Sequence, residues 1–127
     1  MRLEPGDIVT AAGGPYSGKP RPVLVVQNPT VLTGDSVVVM PFTSAANPSV
    51  DLRLAVQPTE ANGLDRPCFV EIDKVSAIRT DAIGTRVGRL DDTAVAEVIS
   101  RVRRLLSPDG WDDHDGNLPS SAATSGR

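Results

Sequence analysis

Cysteine, histidine, lysine and aromatic residues are all scarce in this chain of 127 residues. The single cysteine, Cys68, excludes an internal disulfide and any zinc cage built from cysteines. The single histidine, His114, lies close to the C-terminus. A pair of histidines acting as acid and base is therefore excluded, and so is a Ser-His-Asp triad in the body of the chain. No P-loop, dinucleotide fingerprint or histidine-rich metal motif is present. Aromatics amount to 3%, namely Tyr16, Phe42, Phe69 and Trp111. A core must come mainly from Val, Ile, Leu and Ala. No apolar run approaches the roughly 20 residues of a membrane helix, and the opening MRLEPGDIVT lacks an apolar signal-peptide region. A soluble cytoplasmic protein with no membrane partner is expected.

Positive charge in excess is missing too. The chain has 13 basic and 16 acidic residues, for a net charge of −3. Taken whole, that balance argues against a nucleic-acid partner, because phosphates attract basic surfaces. The distribution changes the reading. Residues 107–127 hold four acids (Asp109, Asp112, Asp113, Asp115) and one base, Arg127. Residues 1–106 are left balanced, with 12 of each sign. This stretch of 107–127 is rich in Ser, Gly, Pro and Asp and shows no apolar periodicity, so a disordered acidic tail is expected after a single domain of residues 1–106. Asp112, Asp113, His114 and Asp115 read as a solvated acidic run rather than as metal ligands.

The body reads as mostly β. Asp7–Ala11 starts a first strand, which should end near Ala12. Gly13–Pro20, with three glycines and two prolines, reads as a flexible loop. Arg21–Gln27 is a β-branched run with Pro20 and Pro22 at its start. Ser36–Phe42 is apolar on both faces, as a central strand should be. Val50–Val56 alternates apolar and polar residues. Phe69–Asp73, Lys74–Ile78 and Arg86–Arg89 supply further strands. One helix is expected, capped by Asp91 or Asp92. Its apolar stripe runs Val95, Val98, Ile99, Val102, Leu105 and Leu106. Glu97 and Arg101 form an i,i+4 pair on its wet side. Pro108 and Gly110 end it.

What the chain does have is arginine, 11 of them against two lysines, Lys19 and Lys74. A guanidinium is planar, permanently charged and able to grip a phosphate with two parallel hydrogen bonds. Arg21 stands at the mouth of the glycine-rich loop, between two prolines that restrict its backbone. Thr43 ends the third strand. Cys68 has no histidine to activate it and reads as a small core residue.

Five segments resemble the MazF/PemK toxin family: Gly6-Asp7-Ile8-Val9; Lys19-Pro20-Arg21-Pro22-Val23-Leu24-Val25-Val26-Gln27-Asn28; Val38-Val39-Met40-Pro41-Phe42-Thr43-Ser44; Phe69-Val70-Glu71-Ile72-Asp73-Lys74-Val75; and Val87–Asp92, leading into the helix. The likeness covers about residues 4–106. It implies an α+β, mostly β fold, a small SH3-like barrel with a C-terminal helix. It implies a homodimer that cleaves single-stranded RNA with no metal and no cofactor, and that a cognate antitoxin inhibits. The RNA's own 2′-hydroxyl would be the nucleophile, leaving a cyclic phosphate and a 5′-hydroxyl. Carried onto this chain, the catalytic pair is Arg21 and Thr43. RNA contacts are implied for Tyr16, Ser17, Lys19, Ser44, Asp73 and Lys74. For the general base, Glu71, Asp73 and water stay open, because an arginine does not give up its proton near neutral pH.

Two other readings fit the same fold. A gyrase-binding toxin of the CcdB kind would need a Trp-Gly-Ile ending on the last helix. Here the helix ends Arg103-Arg104-Leu105-Leu106, and Asp112 follows Trp111. A degenerate dimer that only titrates an antitoxin would have no use for Arg21 and Thr43.

Overall fold

The computed structural model describes residues 2–13, 16–45 and 51–108. Seven strands and one helix follow in chain order: β1 (Asp7–Gly13), β2 (Tyr16–Val25), β3 (Ser36–Thr43), β4 (Arg53–Val56), β5 (Cys68–Glu71), β6 (Ser76–Arg79), β7 (Ile83–Arg89) and α1 (Asp92–Leu106). The strands form one antiparallel sheet in the order β4-β5-β3-β2-β1-β7, and β6 extends β3 at its other end. The class expected from the sequence, mostly β with a C-terminal helix, is the class observed. The sheet is open: β4 and β7 are not hydrogen-bonded to each other.

Alternating side chains explain the layering. Ile8, Leu24 and Met40 stand side by side in register on β1, β2 and β3 and are fully buried. With Val70, Ile72 and Val98 they form the core beneath the helix. Val9, Ala11, Val23, Val25, Val37 and Val39 point the other way and pack with Ile78. β3 is therefore apolar on both faces because both faces are covered.

Four expectations need correcting. First, Tyr16–Pro20 is not a free loop but the start of β2. The pairing Ala11↔Arg21 is followed by Gly13↔Tyr16, so residues 17–20 face Ala12 alone in a wide bulge. The bulge accommodates Pro20, which cannot donate to a ladder. The tip, Gly14 and Pro15, lies outside the described residues, as do the side chains of Tyr16 and Ser17. Second, Ile72–Lys74 is a 3-10 turn, so Asp73 and Lys74 lie between strands rather than in them. Third, β4 begins at Arg53; Val50 lies outside the described residues. Fourth, the helix stripe is only partly covered. Val98 is fully buried, and Ala94, Val95 and Val102 pack on the core, but Leu105 and Leu106 are exposed. The helix cap is Asp91, whose carboxylate accepts the Ala94 N–H at 2.8 Å. Residues 109–127, where the acidic tail was expected, lie outside the described part.

No helix among the described residues is long and apolar enough to cross a membrane.

Candidate active site

The ladder between β2 and β3 runs Val25↔Val39, Leu24↔Met40, Val23↔Pro41 and stops. Each strand carries a proline at that end, Pro22 and Pro41, and a proline has no N–H to carry a ladder further. Continued two positions beyond the last pair, that register would set Arg21 opposite Thr43, and both residues line the cleft there. Both therefore project from the same face of the sheet, where the two strands part.

A cleft of about 450 Å³ opens there. Lys19 and Arg21 of β2 stand on one side, and Phe42, Thr43 and Ser44 of β3 form the floor. Because β5 flanks β3 on its other side, the opposite wall is Leu64–Arg66 and Cys68. The structure thus brings together four of the residues singled out in the sequence: Lys19, Arg21, Thr43 and Ser44. Asp73 and Lys74 are not in this lining.

Thr43 is oriented by its own turn. Its Oγ1 accepts the Ala45 N–H at 3.1 Å. Among the described residues the hydroxyl hydrogen has no acceptor, which suits it to donate to a ligand oxygen. Cys68 behaves differently. Burial pushes its thiol up from the ordinary range, so it stays protonated at neutral pH and serves as apolar wall rather than nucleophile.

Charge pairing sets this cleft apart. Among the described residues, Arg2, Arg53, Arg79, Arg86, Arg89, Arg101 and Arg104 each bridge to a carboxylate. Lys19, Arg21 and Arg66 bridge to none, and all three line the cleft. Two further hollows, of about 500 and 550 Å³, each hold one arginine. These are Arg2, bound to Glu4, and Arg89, bound to Asp7 and Asp92. Of these three hollows, only the cleft at the strand ends is lined by cations without a carboxylate among the described residues; Lys74 and Arg103 are also unbridged but line none of the three.

Glu71 and Asp73, two carboxylates considered as bases, are engaged elsewhere. Arg53, with a side chain only 8% exposed, reaches Glu71 at 3.5 Å and Asp73 by a short contact. The single carboxylate lining the cleft is Asp65. Sequence reasoning missed both Asp65 and Arg66. A signal was there: Arg66-Pro67-Cys68 repeats before β5 the Arg-Pro pair that Arg21-Pro22-Val23 places in β2.

Known proteins share this sequence pattern and this fold. The profile of the PemK-like, MazF-like toxins of type II toxin–antitoxin systems matches residues 4–106. A relative named probable endoribonuclease MazF, from Mycolicibacterium smegmatis, is 44% identical over 102 residues, covering 80% of this chain and 91% of its own. The Mycobacterium tuberculosis toxin MazF-mt6 shares the fold with a TM-score of 0.61 at 23% identity, over 80% of this chain and 94% of its own. The MazE-MazF structure from Deinococcus radiodurans gives a TM-score of 0.64 at 19% identity, over 84% and 97%. A mycobacterial endoribonuclease in complex with its cognate antitoxin gives 0.63 at 18% identity, over 80% and 92%. With the profile spanning the strands, the cleft and the capped helix, the chain belongs to the PemK-like, MazF-like toxin family.

Proposed function

We propose that the chain is a metal-independent endoribonuclease that cleaves single-stranded RNA at short sequences, with Arg21 and Thr43 as its catalytic pair. The observation that carries this reading is that Arg21, which bridges to no carboxylate among the described residues, and Thr43 line one open cleft where the β2–β3 ladder ends. The curated relative named an endoribonuclease supports it.

The chemistry needs little from the protein. The 2′ oxygen of the RNA attacks the adjacent phosphorus, its proton passing to Asp65 or to water. The bond from phosphorus to the 5′ oxygen breaks. One fragment keeps a cyclic phosphate; the other leaves with a 5′-hydroxyl protonated from water. Negative charge gathers on the phosphoryl oxygens as this happens. Arg21 supplies a fixed positive charge there, and Thr43 adds a hydrogen bond from its free O–H. The nucleophile is already attached to the substrate, so holding the phosphate still provides much of the rest.

Lys19 and Ser44 contact the RNA backbone from the cleft edge, and Tyr16 and Ser17 at the hairpin contact it further out. Asp73 and Lys74 join from the 3-10 turn. Homodimerisation and capture by a cognate antitoxin belong to the same reading, and the exposed Leu105 and Leu106 offer apolar surface for either. The protein acts in the cytoplasm, where its RNA is.

The test is to incubate the protein with mixed-sequence RNA in EDTA and map the fragment ends. Fragments with 5′-hydroxyl and cyclic phosphate ends are expected. Intact RNA, together with gyrase inhibition that survives Arg21→Ala, would favour the gyrase-binding alternative instead.

A further inference from the structure

We infer that Arg66 is a second phosphate-binding residue of the cleft, gripping the RNA backbone on the wall opposite Arg21. This rests on the ribonuclease reading above.

Arg66 is exposed, lines the cleft and makes no ion pair or side-chain hydrogen bond among the described residues. Its neighbour in the wall, Asp65, does not engage it either. Seven other described arginines do engage carboxylates. Arg103 on the helix is likewise unbridged, but it lies outside the cleft. Arg66 instead faces the same open space as Arg21 and Lys19, from the far side of β3. A strand of RNA lying along the floor therefore has guanidinium on both flanks.

The segment that carries Arg66 is fixed. Just before it, residues 57–64 form a strap tied down by Asn62, which is 3% exposed. The Asn62 Oδ1 accepts the N–H groups of Thr59 and Leu64, each at 3.0 Å, and its Nδ2 donates to the Gln57 carbonyl at 2.9 Å. The strap then docks on β7, where the Arg89 N–H donates to the Ala61 carbonyl at 2.9 Å. That docking admits no side chain at two positions. A Cβ on Gly88 would collide with the Asn62 backbone, and one on Gly63 with the Val87 carbonyl; Gly63 also has φ +69°. After the strap, Pro67 limits the backbone freedom of Arg66, and β5 begins at Cys68. With the backbone held this way, only the Arg66 side chain has to order when it meets a phosphate. Contacts to phosphates position the strand without reading its bases. Arg66 should therefore raise affinity for RNA of any sequence.

The experiment measures binding of a mixed-sequence, single-stranded 2′-O-methyl RNA, which carries no nucleophile and is not consumed. Dissociation constants are taken across a salt series for the wild type, Arg66→Ala and Arg66→Lys. Arg66→Ala should bind about tenfold more weakly. The slope of log affinity against log salt should flatten by about 0.7, the share of one phosphate on a single strand. Arg66→Lys should keep the wild-type slope and recover part of the affinity, because a charge remains but the planar fork is gone. The melting temperature of Arg66→Ala should match the wild type, since the side chain is exposed and unbonded. An Arg66→Ala protein with unchanged affinity and slope overturns the inference. If Arg21→Ala slows cleavage in that same case, the ribonuclease reading stands and Arg66 alone is misassigned. If the wild type binds no RNA at all, both fall.

Discussion

The arginines of the framework and the arginines of the cleft have the same chemistry and opposite surroundings. Arg53 is nearly buried between β4, β5 and the 3-10 turn, with Glu71 and Asp73 as counter-charges. Arg86 and Arg89 close on Asp7, whose side chain is 1% exposed, at 2.9 and 3.3 Å. Arg86 and Arg89 stay partly exposed, but all three guanidiniums already hold carboxylates, and their positive charge is spent on the fold. Arg21 and Arg66 are exposed and hold no carboxylate among the described residues. What decides the role of an arginine here is therefore its partner in the folded chain. A neutral body of 12 positive and 12 negative residues can still present a basic cleft, because the negative charges are largely committed elsewhere.

Substitutions on the two sides should separate stability from activity. The largest framework effect is expected for Arg53→Met. It leaves Glu71 and Asp73 without their shared cation in a mostly buried setting, which should cost about 3 kcal/mol. Urea denaturation checks this, and below the transition the variant should still cleave RNA. Loss of cleavage by a fully folded Arg53→Met would blur the division. On the cleft side, Thr43→Val removes one hydrogen bond to a charged phosphoryl oxygen. About tenfold in single-turnover rate should disappear, with no loss beyond the turn bond to Ala45 in stability. Next comes Asp91→Ala, which removes the helix cap and should cost about 1 kcal/mol with cleavage unaffected. The smallest effect is expected at the surface. Arg79 holds the Asp81 carboxyl below its ordinary value, mainly through their hydrogen bond. The depressed pKa means that any stability from this pair is present at neutral pH and fades as acid protonates Asp81. Both groups are fully exposed, so Asp81→Asn should leave the neutral-pH melting temperature unchanged.

Local signals in the sequence translated well where neighbouring residues decide structure. The β-branched run after Pro22 is a strand, the apolar residues of β3 mark a central strand, and Asp91 caps the helix. Arg21 stood out at the start of its β-branched run and Thr43 at the end of its strand, and both line the cleft where the ladder joining those strands ends. Signals that depend on distant packing were not legible. Gly13–Pro20 has loop composition, yet pairing with β1 recruits Tyr16–Pro20 into β2 as a bulged extension. Leu105 and Leu106 continue the apolar period of the helix, but the core ends before them. Asp65 and Arg66 lie far along the chain from Arg21. The docking of the Asn62 strap on β7 and the pairing of β5 with β3 hold them at the cleft, and in their own neighbourhood only the Arg66-Pro67 pair hints at it.

The most direct test of the division between the two sets is single-turnover cleavage of mixed-sequence RNA in EDTA by the wild type and by Arg21→Ala, with equal melting temperatures as the control. The account predicts that the wild type cleaves and that Arg21→Ala is slower by about 10²–10³-fold, the usual effect of removing one donor aimed at developing negative charge. Equal rates from the two folded proteins would contradict it.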